Sequence, residues 1–337
     1  MPEIALDTER YAVLLLAHGT PQTLDQIPEY LRNVTSGRPM PESVVEEIRH
    51  RYSLIGSSPL TELTFEQGSL LSQALSRPVY VGMRNWKPYV ADTVRQMREA
   101  GVRRAVAICL APQNSRTSVG LYKRAAYAEA GEHLQLDFVD AWADHPLLIQ
   151  AFAERLQPRW IELSRAAGNN LPVIFTAHSV PCRTVWSQTS IPLPGDEANP
   201  PATPARPPTP QEPDLYPQEA KKTAQLVAAA LAPAGLTAQD CYFAFQSQGA
   251  SGGPWLGPGV EATLTALAQA GHKLVLLQPI GFLCDHVEIL YDIDIAFREF
   301  GEKIGITVER TESLNTSPTL IAALANLARG GLQRLGE

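Results

Sequence analysis

The feature that most restricts this chain is the alternation of eight short apolar runs with segments of helical amphipathicity. The runs, rich in leucine or β-branched residues, fall at Ala12–Ala17, Pro78–Gly82, Ala105–Leu110, Leu136–Val139, Val173–Ala177, Tyr242–Gln246, Leu274–Pro279 and Ile306–Glu309. Between them the spacing of apolar residues predicts helices, among them Glu42–Leu54, Val90–Ala100, Leu147–Leu163, Gln218–Leu231, Val260–Ala270 and Ser317–Leu327. Strand–helix alternation of this kind builds βαβ units around parallel sheets, so the fold class is α/β. The runs are mostly continuous rather than alternating, which suits sheets covered by helices on both faces.

The pattern also repeats. Leu14-Leu-Leu-Ala-His-Gly-Thr-Pro in the first half and Val173-Ile-Phe-Thr-Ala-His-Ser-Val-Pro in the second each run an apolar strand into Ala-His, a small residue and then a proline. His18 and His178 are therefore expected at the carboxyl ends of equivalent strands, the edge at which open α/β sheets bind ligands. A length of 337 residues accommodates two such halves, and two doubly wound halves facing each other across a cleft is the expected architecture. The stretch Ile191–Pro217 does not fit it: ten of its residues are proline and few are apolar. It reads as a surface insertion without a core of its own, with a lid as the functional alternative.

Composition narrows the function. A formal net charge of −7 gives no footprint for nucleic acid. Cys109, Cys182, Cys241 and Cys284 are scattered without a CxxC pair, which argues against a zinc ribbon or dithiol site and for buried, reduced thiols. No charged-then-apolar leader opens the chain and no apolar run approaches about 20 residues. A cytoplasmic protein with at most peripheral membrane contact is expected.

Two places can carry chemistry. His178 follows a buried strand and precedes Ser-Val-Pro, a context that projects it into a loop; the other histidines, at 18, 50, 133, 145, 272 and 286, read individually as surface or structural. The second place is Gly281-Phe-Leu-Cys-Asp-His-Val-Glu-Ile-Leu-Tyr-Asp-Ile-Asp, which reads as a helix start. On a helix Asp285, Glu288 and Asp292 form one acidic stripe at i, i+3 and i+7, with Val287, Ile289, Leu290 and Ile293 flanking it. An imidazole opposite a carboxylate ladder suits joint handling of a divalent metal and protons. Arg38 and Arg51, beside Gly37 and Gly56, are candidates for an anion site, against the plainer reading of two exposed arginines.

Taken together and in order, these strings resemble the ferrochelatase family over nearly the whole chain. They are Ala17-His-Gly-Thr-Pro, Arg51-Tyr-Ser-Leu-Ile-Gly, Ser58-Pro-Leu, Tyr80-Val-Gly-Met-Arg, Ser118-Val-Gly-Leu-Tyr-Lys-Arg, Ala177-His-Ser-Val-Pro, Phe245-Gln-Ser-Gln-Gly, Pro254-Trp-Leu-Gly-Pro and Pro279-Ile-Gly-Phe-Leu-Cys-Asp-His-Val-Glu-Ile-Leu-Tyr-Asp. The resemblance implies two Rossmann-like lobes, 1–150 and 151–337, each a parallel sheet flanked by helices, with the active-site cleft between them. The proline-rich insertion 191–217 falls in the second lobe, and the last helix is a candidate to pack back on the first.

By motif position the resemblance assigns catalysis to His178 and Glu288, and metal handling to His178, Glu288 and Asp292, with Tyr291 beside them. It assigns porphyrin contacts to Arg51, Ser58, Tyr122 and Trp255. His18 stands where coproporphyrin-using relatives often carry a tyrosine that ligates haem iron. Departures from the pattern are Asn85 where an outer metal-binding histidine can occur, Ala296 in place of an outer glutamate, and the insertion itself. No cysteine follows Cys284, so no iron–sulfur cluster is expected. The implied reaction is insertion of Fe2+, as substrate, into a porphyrin to give haem, in company with other enzymes of haem synthesis. The short Arg51–Leu60 stretch favours coproporphyrin III over protoporphyrin IX. A cobalt or nickel chelatase of another tetrapyrrole and a non-catalytic haem-binding protein are the competing readings.

Overall fold

The computed structural model describes residues 11–182, 185, 214–248 and 254–337. The chain divides into two compact units: residues 1–112, 117–142 and 315–337 form one, and residues 113–116 and 143–314 the other. Residues 143–150, which open the long helix Pro146–Ala167 (α6), thus go with the second unit, and the last helix, Pro318–Arg334 (α11), with the first.

In the first unit β1 (Tyr11–Ala17), β2 (Val79–Met83), β3 (Arg104–Cys109) and β4 (Gln135–Val139) form an all-parallel sheet in the order β2-β1-β3-β4. The second unit repeats this with β5 (Val173–His178), β6 (Cys241–Gln246), β7 (Leu274–Pro279) and β8 (Thr307–Arg310) in the order β6-β5-β7-β8. β1 and β5 are therefore equivalent, as the paired Ala-His strings required. In both sheets the strand order reverses between the first strand and the third, and the carboxyl ends there form the switch point at which such sheets bind ligands. His18 and His178 stand at those two points.

Continuous apolar strands follow from burial on both faces. Leu14, Leu16, Ala105 and Ala107 pack one face of the first sheet against Val94 and Met97 of α4 (Val90–Glu99) and Ala126 of α5 (Val119–Ala130). The other face meets α3 (Leu60–Leu75) and α11; there Gly331 comes so close to β3 that an added Cβ would sit 2.6 Å from Val106. In the second sheet Ile174, Ala244, Val275 and Leu277 pack on Val260 and Leu264 of α8 (Val260–Gln269) and on Ile289, Ile293 and Phe297. Full burial of one such side chain stabilises by about 1.5–3 kcal/mol, so the sheets supply much of the folding free energy.

Two sequence expectations need correction. The proline-rich stretch is not uniform up to Pro217: residues 191–213 lie outside the described residues, but Tyr216 and Pro217 already belong to α7 (Tyr216–Ala230). A proline in the first helical turn lacks only an N–H that has no intrahelical acceptor, so it starts this helix rather than breaking it. The second correction concerns 281–294. The helix there starts only at Val287 (α9, Val287–Leu290) and passes into a π-helical turn, Asp292–Phe297, before α10 (Arg298–Ile304). Both Ile295 N–H and Ala296 N–H donate to the Tyr291 carbonyl, at 3.1 and 2.9 Å, the second being the i→i+5 bond of a π turn. Asp285 precedes the helix, so the three acids are not one helical stripe.

All four cysteines are buried free thiols. Among the described residues no helix is long and apolar enough to cross a membrane.

Candidate active site

His178 ends β5 and is held from three directions. Its main-chain carbonyl accepts a 2.8 Å hydrogen bond from the buried Tyr216 hydroxyl. Its ring Nδ1 donates to the Ser179 carbonyl, which turns Nε2 towards Glu288. The loop that follows is pinned by Ser179, whose N–H donates to the Gln246 carbonyl at 2.7 Å and whose hydroxyl donates to the Leu256 carbonyl at 2.9 Å. Pro181 and Trp255 form an antiparallel bridge beside it, so the Ala-His-Ser-Val-Pro and Pro-Trp-Leu-Gly-Pro strings pack as one structure.

Glu288 arrives from the loop after β7. That loop passes so near β5 that a Cβ on Gly281 would lie 2.9 Å from the Ala177 Cα, which explains glycine there. The Glu288 carboxylate then reaches His178 Nε2 at 3.3 Å through one oxygen and His286 Nε2 at 3.5 Å through the other. His286, buried, donates from Nδ1 to the Cys284 carbonyl, 3.1 Å away. Gln246 donates to the main-chain carbonyl of Glu288 at 2.8 Å. The ring of Phe282 packs on both imidazoles, with centroids 6.4 Å from His178 and 4.7 Å from His286.

The electrostatics follow from this contact. Burial is the largest influence on His178 and disfavours its charged form, but the Glu288 carboxylate, the Ser179 carbonyl and Asp292 outweigh it and lift its pKa to about 9. Burial acts on Glu288 in the opposite sense to the two imidazoles, and the imidazoles prevail, holding the carboxyl well below the ordinary carboxylate range. At neutral pH the pair rests as imidazolium and carboxylate.

Asp292, nearly buried in the π turn, accepts a 2.5 Å hydrogen bond from the Ser247 hydroxyl. Among the described residues no three His, Cys, Asp or Glu side chains gather as a group able to hold a metal ion. His178 and Glu288 form a close pair, and Asp292 is held by Ser247. Tyr291 stands at the junction of α9 and the π turn, half-buried.

In the first unit His18 Nε2 lies 2.9 Å from the Tyr30 hydroxyl, and the Asn85 side-chain amide lies 3.2 and 3.1 Å from its two ring nitrogens. Asn85 is buried and thus anchors His18. Arg51, on α2 (Glu42–Ile55), donates to Glu47 at 2.9 Å one turn earlier. Ser58 lies in the short Gly56–Pro59 join between α2 and α3, where its hydroxyl is buried and makes no hydrogen bond among the described residues. Tyr122 is buried on α5 with the Arg84 guanidinium over its ring at 5.3 Å. Arg38 is exposed and donates to the Thr35 carbonyl of its own turn at 3.1 Å, as the plainer reading had it.

Sequence reasoning missed His286, Tyr216, Gln246 and Ser247. His286 carried a signal, its place two residues before Glu288; the others acquire their roles only through strand adjacency.

The fold is one found among chelatases. SirB from Bacillus subtilis with Fe3+ aligns with a TM-score of 0.52 at 9% identity, over 96% of this chain and 95% of that one. DR2241 from Deinococcus radiodurans, described as structurally similar to chelatases, aligns at 0.51 and 10% identity, over 95% of this chain and 55% of its own. Sequence comparison then fixes the family. The Ferrochelatase family model matches residues 10–332. A ferrochelatase of Acidobacterium capsulatum is 62% identical, covering 97% of this chain and 96% of its own, and a coproporphyrin III ferrochelatase of Geobacillus sp. is 31% identical, covering 95% and 97%. The chain belongs to the ferrochelatase family. It is an enzyme, a metal chelatase whose porphyrin substrate becomes haem.

Proposed function

We propose that this chain inserts Fe2+ into coproporphyrin III, with His178 and Glu288 as the catalytic pair. The observation that carries the reading is the 3.3 Å His178–Glu288 contact at the switch point of a parallel sheet. Insertion releases two pyrrole protons as iron takes their place, so the site must receive protons beside an arriving dication. The resting pair already holds one proton, on His178. An approaching Fe2+ repels that proton towards Glu288 and solvent, and frees Nε2 to take a pyrrole proton or to touch the metal. Asp292, with Ser247, is the next carboxylate along the same segment. His18 serves as iron ligand to product haem, exchanging Tyr30 for the metal.

Two features support coproporphyrin III. Relatives near 31% identity carry that substrate in their names. The α2–α3 join is short, and its Ser58 hydroxyl, together with Arg51 on α2, is suited to substrate carboxylates. Trp255, half-buried, offers aromatic surface to the macrocycle of either porphyrin. Anaerobic assays of Fe2+ insertion with both porphyrins under matched detergent test this. A higher kcat/KM for coproporphyrin III is expected, and an equal or higher value for protoporphyrin IX overturns the substrate assignment.

A further inference from the structure

The four acids of 285–294 are sorted into two pairs by one residue outside the segment. Arg310, at the end of β8, donates from Nε and Nη2 to the two oxygens of Asp294, both at 2.8 Å, in a bidentate fork. The same Nη2 lies 3.4 Å from Asp285, which also accepts from the Ser313 hydroxyl at 2.7 Å. Its remaining nitrogen donates to the Thr311 carbonyl at 3.0 Å, and the side chain is only 13% exposed. Arg310 thus grips Asp285, two residues before α9, and Asp294 inside the π turn. The segment between these grips carries Glu288 and Asp292.

We infer that Arg310 is a positioning residue for iron insertion. It fixes both ends of the segment that presents Glu288 to His178 and Asp292 to Ser247, and it neutralises the two carboxylates that do not face them. The inference rests on the proposed roles of His178 and Glu288. A π turn holds one more residue than the α turn it replaces, so it persists only where side chains over-determine it. The Asp294 fork is the strongest such tie in the segment, because a planar guanidinium fixes both direction and distance of a carboxylate. Arg298 also approaches Asp294, at 3.6 Å, but it is 43% exposed and has no fork geometry. It is the natural control.

The test measures kcat, porphyrin KM, porphyrin affinity by fluorescence quenching and thermal midpoint for Arg310→Met, Arg310→Lys, Asp294→Asn, the Arg310→Met/Asp294→Asn double variant and Arg298→Ala. Displacing a reacting group by about 1 Å costs on the order of a hundredfold. Arg310→Met and Asp294→Asn are each expected to lower kcat by roughly ten- to a hundredfold with porphyrin KM and affinity within about twofold. The double variant should be no worse than the weaker single one, Arg310→Lys should recover part of the loss, and Arg298→Ala should be near normal. If Arg310→Met does not fold, Asp294→Asn and Arg310→Lys decide alone. Retained kcat in Asp294→Asn or in a folded Arg310→Met, additive losses in the double variant, or a loss that tracks only the folded fraction overturns the inference. Glu288→Gln and His178→Ala run alongside: if both stay active, the proposed pair has failed; if they are inactive while the Arg310 and Asp294 variants work normally, only the positioning role has.

Discussion

Glu288→Gln removes the charge opposite His178 and keeps the shape. Two unit charges at 3.3 Å attract by about 5 kcal/mol at an effective dielectric constant near 20, which sets a ceiling. A rise from the ordinary 6.5 to about 9 corresponds to about 3 kcal/mol at 1.36 kcal/mol per unit. The two side chains keep 35% and 30% of their surface in solvent, and screening brings the expected coupling to about half that. With the charge gone only burial and the weaker contacts act, so the His178 midpoint should fall by at least about one unit. The assay is an NMR titration of the imidazole Cε1–H, assigned by subtraction with His178→Gln. A parent midpoint near 6.5, or one unmoved by Glu288→Gln, refutes the reasoning. The linkage has a definite sign. His178, raised on folding, stabilises the protein fully below 6.5 and loses that contribution as pH rises through about 9. Glu288, depressed on folding, contributes above its ordinary 4.5 and loses the contribution as pH falls below it. The pair therefore stabilises most between these two ordinary values, and Glu288→Gln should flatten the stability profile on both sides.

Other outcomes are open to measurement. Gly281→Ala should cost about 1–3 kcal/mol in denaturant unfolding, because its Cβ has no room beside Ala177, and should lower turnover by displacing the Glu288 loop. Arg51→Ala should raise KM for coproporphyrin III about tenfold with little change in kcat, the cost of one charged hydrogen bond. His18→Ala should change the absorption spectrum of the haem complex and speed haem loss; a spectrum indifferent to it but altered by His178→Ala rejects His18 as the ligand.

How far the sequence could be read depended on whether the relevant contacts were local. The eight strands were legible because a strand buried on both faces is a continuous apolar run, and the equivalence of β1 and β5 was legible because the same Ala-His string ends each. Helix limits drifted by a few residues where proline or a cap decides them, as at Tyr216. The acidic segment misled because periodicity assumes 3.6 residues per turn. The late start at Val287 takes Asp285 off the helix, and the π turn then changes the register. Nothing within 285–294 shows that Arg310 claims Asp285 and Asp294. His286 went unrecognised for a related reason: its role comes from the turn at Cys284 and from Glu288, not from any pattern of its own.

The most direct measurement is single-turnover Fe2+ insertion by His178→Ala and Glu288→Gln with porphyrin already bound. A positioned acid–base group contributes about 10²–10⁴-fold, so each variant should bind porphyrin as the parent does while insertion slows by at least about a hundredfold. Insertion within a few-fold of the parent in either variant, with porphyrin occupancy matched, would contradict the catalytic role of that residue.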